Sequence, residues 1–492
     1  MSAPTDGKSI GAQVAAGAFW NMLGFASKSI CGYIIAVLLA RGFGPVAYGV
    51  YGVVYSVLLA SEQVLRLGIP QALTRLVGGG TAPDQSALES AGIWLGFAVS
   101  VAGFAVLWFA APLLADWLNV PRGTLLFRIA ILDIPFFGLY RVMIHVLSGR
   151  RDFAVSGIVH CVYAFARAAG IAVLFATDNL SIEGALIVNV AASILGVLLM
   201  IPRIGWPSMR LNLAERATIV AAAVPIMFGD VGIQGLLGID LWLLSAFSTS
   251  FTSEARGVYV AAMSMARGPN ILAFVLVAVL VPLIARARST GEDAAARKLV
   301  LGTTRFLMVL LVPVCALLAV NAGEVMVLFF GEGYRTGAPY LALLIFAQGM
   351  GFTVLSALQA IVIGVGHAEV AAHRIYAALA IAVVLNLILI PTFGAAGAAT
   401  AALLSFAIAT ILIGHFVRRE MGVLLEPRQA ALTLAVTICI ATLGWIIPSS
   451  GTGLLAELLL LGAGAVGAMR IVGLIVPGDI ALLLGRKRNR AP

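Results

Sequence analysis

Charge is scarce in this chain of 492 residues: Asp, Glu, Lys and Arg together make up 11% of it, against about 25% in a soluble domain. Without that charge there is no polar shell for a water-soluble globule of this length. The apolar segments are continuous rather than alternating, which removes a transmembrane barrel. Cysteine is also sparse. Cys31, Cys161, Cys315 and Cys439 all fall in apolar runs, which excludes a disulfide framework or thiolate metal site and predicts small buried hydrophobes. There is no Walker A loop, no G-x-S-x-G and no H-E-x-x-H, so ATP hydrolysis, serine-hydrolase and zinc-peptidase chemistry have no foothold. Long hydrophilic loops are missing as well. The largest, 203–216 and 286–301, offer no aqueous domain for a membrane ligase, polymerase or glycosyltransferase. No catalytic residue, metal ligand or cofactor is expected. A cleavable signal peptide is not evident, since the first apolar run, 14–40, is too long for one.

What is present is apolar residue, 61% of the chain, with a mean hydropathy of +1.05. A membrane-spanning helix needs about 20 mostly apolar residues. Fourteen stretches qualify: 14–40, 46–68, 88–112, 124–146, 154–176, 183–202, 217–246, 256–284, 302–322, 338–363, 370–391, 395–417, 429–447 and 453–476. The last two are the least secure. With a cytoplasmic N-terminus, inner segments carry 19 Lys and Arg and outer segments 4, the bias expected of a correctly counted helical membrane protein. The net charge of +9 is therefore a matter of topology, not of nucleic-acid binding.

Weak echoes recur at a steady offset. YGVY at 48–51 faces RGVY at 256–259, 208 residues on, and GALIVNVAASILG at 184–196 faces GAATAALLSFAIA at 397–409, 213 residues on. Such repeats are common in transporters. An offset of six helices preserves orientation, so the repeats are parallel. The expected fold is all-α and integral to the membrane, with about 14 transmembrane helices. It divides into an N-terminal six-helix lobe (1–210), a C-terminal six-helix lobe (211–420) and two extra helices with a basic cytoplasmic tail (421–492).

The run VLLARGFGPVAYGVYGVVYSV, followed by LRLGIPQALTRLVG, and later LSGRRDFAV and EGALIVNVAASILG, resemble the polysaccharide transporters. These are the O-antigen and exopolysaccharide flippases of the multidrug/oligosaccharidyl-lipid/polysaccharide exporter superfamily. The resemblance covers the whole chain. It implies movement of an undecaprenyl-diphosphate-linked oligosaccharide from the inner to the outer leaflet of the bacterial inner membrane, by alternating access around a central cavity, coupled to H+ or Na+. The lipid tail would stay in the bilayer or in a groove partly made by the last two helices. The implied partners are the lipid-linked oligosaccharide, membrane lipids, a polysaccharide polymerase and a chain-length regulator, with the transporter a monomer and both termini cytoplasmic. Lipid II flippases and cation-exporting multidrug antiporters of the same superfamily are the near alternatives; a glycan ligase or polymerase is the distant one.

A charge at the centre of a span costs roughly 2.5–3.5 kcal/mol on insertion scales, so such residues face a cavity or a partner. Lys28, Arg66, Arg141, Arg167 and Arg267 are candidates for a substrate cavity, with Tyr51, Tyr55, Tyr259 and Gln348 beside them. Lys28 reads as a cation for a diphosphate or as the partner of an acid. Glu62 and Arg66, four residues apart, can pair with each other, while Tyr48 and Arg256 read as anchors at the outer interface. Asp230, Asp240, Asp133 and Glu62 are candidates for ion coupling or for neutralising those cations. Asn386 reads as contact between helices. Basic residues outnumber acids in the repeat spans, which suits a diphosphate and argues against export of cations.

Overall fold

The computed structural model describes residues 7–80, 84–208, 213–247, 253–270, 280, 283–447 and 451–474. The structure is nearly all helical (89%), with no strand among the described residues. The chain forms two compact units, Met1–Gly238 and Ile239–Pro492. Their boundary falls inside a helix, Leu213–Ala246.

Ten described helices are long and apolar enough to cross a membrane, and two of these are double. Helix α1, Gly7–Leu65, has 59 residues and would measure about 88 Å if straight, far beyond the roughly 30 Å of hydrocarbon. It folds back at Gly44, whose φ of 70° and ψ of 173° lie in a region that only glycine occupies without strain. Pro45 follows with its fixed φ and starts the second arm. The spans expected at 14–40 and 46–68 are these two arms. A second double helix in the other unit breaks at Gly394 (φ 58°) and holds the spans expected at 370–391 and 395–417.

In the first unit, α1 is followed by α2 (Ile69–Gly79), α3 (Gln85–Trp117), α4 (Gly123–Ile131), α5 (Asp133–Gly149), α6 (Phe153–Ala176), α7 (Ile182–Ile204) and α8 (Leu213–Ala246). The span expected as one helix at 124–146 is interrupted at Leu132. Pro135 explains this: it has no N–H to offer the carbonyl of Ile131, so the ladder fails there, and Asp133 begins the new helix. Two clusters of buried side chains hold the unit. Leu73 and Val77 pack with Leu88, Val142, Val146 and Ile219, joining α2, α3, α5 and α8. Tyr140, Met143 and Leu147 pack with Val159, Tyr163 and Met200, joining α5, α6 and α7.

The first arm of α1 runs parallel to α6, and glycines set their spacing. A Cβ added at Gly24 would lie 2.9 Å from His160 Cβ, one at Gly157 would lie 2.8 Å from the carbonyl oxygen of Trp20, and one at Gly17 would meet the Phe153 ring at 2.8 Å. Small residues at such a seam let helix backbones approach closely.

The second unit contains α9 (Ser253–Ala266), α10 (Asp293–Val320), α11 (Ala322–Phe330), α12 (Ala338–Leu344), α13 (Phe352–Gly364) and α14 (Ala368–Met421). It ends with α15 (Pro427–Ile446) and α16 (Thr452–Ile471). The span expected at 256–284 begins on α9 and runs into residues outside the described ones. The two least secure spans are the well-formed helices α15 and α16, packed on α10 through Leu317, Ile440 and Ala465. Between α12 and α13 the chain widens into a π-helical turn, Ile345–Gly351. One expectation about cysteine is corrected: Cys31 and Cys315 are buried, but Cys439 is exposed.

Candidate substrate and ion sites

The first unit gathers its polar residues from five helices, α1, α2, α5, α6 and α7. Lys28, on the first arm of α1, is exposed although it lies mid-helix. Its electrostatic neighbours are Arg141, Glu62, Arg66 and Arg167, so residues of three helices meet around one lysine. Arg141 points Nη2 at His145 Nε2, 3.5 Å away. The other ring nitrogen, Nδ1, lies 2.9 Å from Thr74 Oγ1, and that hydroxyl gives its own proton to the His145 carbonyl at 3.0 Å. Thr74 therefore accepts from Nδ1–H, which leaves Nε2 as the lone pair facing Arg141.

The acids converge too. Glu62 (7% exposed) and Asp133 (0%) are both buried, and their carboxyl groups are close electrostatic neighbours. Asn189 on α7 donates Nδ2 to Asp133 Oδ2 at 2.5 Å. Two neighbouring carboxyl groups have the chemistry of a shared proton or a bound cation. Glu62, which can also pair with Arg66 one turn along, faces an acid 71 residues away. Glu62 and Arg66 also line a small cavity of about 10 Å³ between α1, α3 and α5, room for about one water.

The tyrosines of α1 stack on one another. Ring centroids of Tyr48 and Tyr51 are 6.4 Å apart, those of Tyr51 and Tyr55 are 5.4 Å apart, and the Arg167 guanidinium caps Tyr55 at 4.8 Å. Tyr48 is 3% exposed and Tyr51 5%. Tyr48 is therefore packed inside the unit and is not an interfacial anchor, and Tyr55 supports Arg167 by a cation–π contact, with Tyr51 its electrostatic neighbour.

The second unit builds a chain of hydrogen bonds. Arg267 donates Nε to Gln348 Oε1 at 2.8 Å. Gln348 donates Nε2 to Asp240 Oδ2 at 2.9 Å, and Tyr259 donates its hydroxyl to the same oxygen at 2.6 Å. Tyr259 and Gln348 are fully buried, so they hold charged neighbours in place. Arg256 is 3% exposed and donates to Ser245 Oγ at 3.1 Å; it is buried, which corrects its reading as an outer anchor. Asn386 donates to the Ala382 carbonyl of its own helix at 2.8 Å, so that amide does not bridge helices. The Asp230 side chain lies outside the described residues.

Residues that sequence reasoning passed over complete these sites. Asn189 sits in a stretch quoted for its repeat, and a lone amide in an apolar helix was the available signal. Arg150, read as part of a solvated rim, makes a two-pronged contact with the buried Glu89 of α3, one prong at 2.8 Å. That carboxylate holds the arginine above the usual guanidinium pKa.

A nearly all-helical chain with ten helices long and apolar enough to cross a membrane, and charged clusters within them, is built as a multi-pass membrane protein. Residues 38–339, well over half of the chain, match the model of the family described as polysaccharide biosynthesis protein, and the chain belongs to that family. It is 22% identical over 474 residues to YabM, an uncharacterised membrane protein of Bacillus subtilis, covering 89% of this chain and 87% of that one. Among solved structures it is similar to the lipid II flippase MurJ in an inward closed conformation, with a TM-score of 0.75 at 13% identity over 91% of this chain and 96% of that one. It is also similar to an inward-facing multidrug resistance MATE transporter of the MOP superfamily, with a TM-score of 0.65 at 12% identity over 80% and 94% of the two chains. At these identities the likeness is one of fold.

Proposed function

We propose that this protein is a flippase that moves an undecaprenyl-diphosphate-linked oligosaccharide from the inner to the outer leaflet of the bacterial inner membrane, for assembly of exopolysaccharide, capsule or O-antigen. One observation carries the reading: within the first unit, Arg66, Arg141 and Arg167 lie within electrostatic reach of Lys28, so four cations gather against the single acid Glu62. A diphosphate recruits arginine and lysine in this way, through charge-assisted hydrogen bonds. Family membership and a fold shared with a lipid II flippase support it. Alternating access would carry the head group past these cations. The Glu62–Asp133 pair would take the coupling proton or Na+. The bias of Lys and Arg along the sequence puts both termini in the cytoplasm, and a polymerase and a chain-length regulator would act on the product.

The acid pair also favours a second reading, an ion-coupled exporter of cationic drugs. Proteoliposomes separate the two. With fluorescent undecaprenyl-diphosphate oligosaccharide in both leaflets, a membrane-impermeant reductant bleaches only half of the label unless lipid is flipped. Wild-type protein should carry bleaching past half. Lys28→Ala or Arg141→Ala should slow it about 10- to 100-fold, the weight of one charge-assisted hydrogen bond, with normal recovery of folded protein. Wild-type protein that exchanges an organic cation and leaves the labelled lipid in place would make it an exporter.

A further inference from the structure

Gln348 occupies an unusual place. It is fully buried, at the middle of the π-helical turn Ile345–Gly351. Single π turns inside α-helices mark functional positions. The turn is pinned to the end of α9. A Cβ added at Gly349 would lie 2.6 Å from the Ala266 carbonyl oxygen. Thr353 Oγ1 lies 2.7 Å from the Gly349 carbonyl and 3.3 Å from that of Pro269. Arg267 lies between Ala266 and Pro269, so the amide of Gln348 is held against it, and what remains movable is the amide's own rotation.

The polarity of that amide is fixed by its neighbours. Arginine has only donors, so Oε1 must face Arg267, and Nε2 is left to donate to Asp240. Asp240 receives three donors: Leu241 N reaches Oδ1 at 2.8 Å, while Tyr259 and Gln348 share Oδ2. The charged and titratable groups that face it are Tyr259 from α9 and Arg267 from the turn after it. This arrangement requires an acceptor at Oδ2. A proton on that oxygen facing Gln348 sets a donor against Nε2. Turning the amide over relieves that contact, but it aims the NH2 group at the donors of Arg267.

We propose that Gln348 is a positioning residue, an amide relay through which the acceptor state of Asp240 sets how firmly Arg267, which also reaches Met263 Sδ at 3.4 Å, is held. The proposal deepens the flippase reading, because it rests on Arg267 serving as a ligand of the diphosphate. Binding at one end and the acceptor state at the other are then coupled reciprocally, as linkage demands.

The test reads Arg267 directly. Full-length protein in nanodiscs is treated with phenylglyoxal, and the rate of modification at Arg267 is followed by peptide mass spectrometry, with Arg122, exposed and outside the candidate sites, as internal reference. Asp240→Asn keeps the shape but, with its oxygen on Leu241 N–H, turns a donor toward Gln348; it should raise the Arg267 rate about tenfold, the loss of one hydrogen bond to a charged group. Gln348→Met, which has no amide, should do the same. Gln348→Glu should not, since its carboxylate accepts from Arg267 unaided, and adding Asp240→Asn to it should then change nothing. A purely structural Gln348 predicts a raised rate in all of these variants. The relay is overturned if D240N leaves Arg267 at the wild-type rate, or raises it equally in the Q348E background. If D240N does not fold, the contrast between Q348M and Q348E decides: equal rates overturn the relay. Undecaprenyl diphosphate added to the wild-type nanodiscs should protect Arg267. Absence of protection would remove Arg267 from the substrate site, and the relay would still stand or fall on the variants.

Discussion

Asp133 shows what one carboxyl group requires inside a membrane protein. It is wholly buried, and it accepts a hydrogen bond from an amide 56 residues away on another helix. Asn189→Leu removes that donor and should lower stability by about 0.6–2 kcal/mol, the range for hydrogen bonds between membrane helices. Thermal unfolding in detergent would show it; an unchanged midpoint would mean that the other neighbours of Asp133, Ser193 and Glu62, hold it without the amide. The acid was legible in the sequence, because a charge in a span stands out. Its donor was not, because asparagine in a helix announces no partner. The same holds for Gln348. Its sequence neighbours are apolar, and nothing local reveals that an arginine 81 residues away shares its oxygen.

At the scale of elements, glycine and proline were the readable signs, though unevenly. Gly44–Pro45 stands in the sequence as a hairpin between two spans, and the structure folds α1 there. Pro135 lies inside an apolar stretch that looks continuous, so the break that places Asp133 at a helix start went unread. The hairpin gives a direct expectation. Gly44→Ala puts a Cβ at φ 70°, ψ 173° and should cost of order 1–3 kcal/mol, read as a lower unfolding midpoint. Gly32 sits in the same arm, also with open space around an added Cβ but without a positive φ. Gly32→Ala should therefore be close to neutral, and equal losses from the two substitutions would mean that backbone strain is not the cause.

For the molecule as a whole, hydropathy and the distribution of arginine and lysine made the class readable: nearly all helical and multi-pass. Hydropathy is summed over windows and survives local error. The sites are built from pairings across dozens of residues, which no window contains. Topology remains testable on its own terms. In a cysteine-free background, a cysteine at Thr290 should react with an impermeant maleimide from the cytoplasmic side, and one at Arg41 from the opposite side. Labelling of both from one side would invalidate the span count between them.

The glycine seam between α1 and α6 has a mechanical consequence. Two helices meshed backbone to backbone at Gly17, Gly24 and Gly157 cannot slip by a turn, because each groove admits no side chain but the one already in it. They behave as a splinted pair. The cations that this pair carries, Lys28 and Arg167, must then travel together whenever the unit changes shape, and any bending has to be taken up elsewhere, with the glycine elbow at position 44 the natural fulcrum.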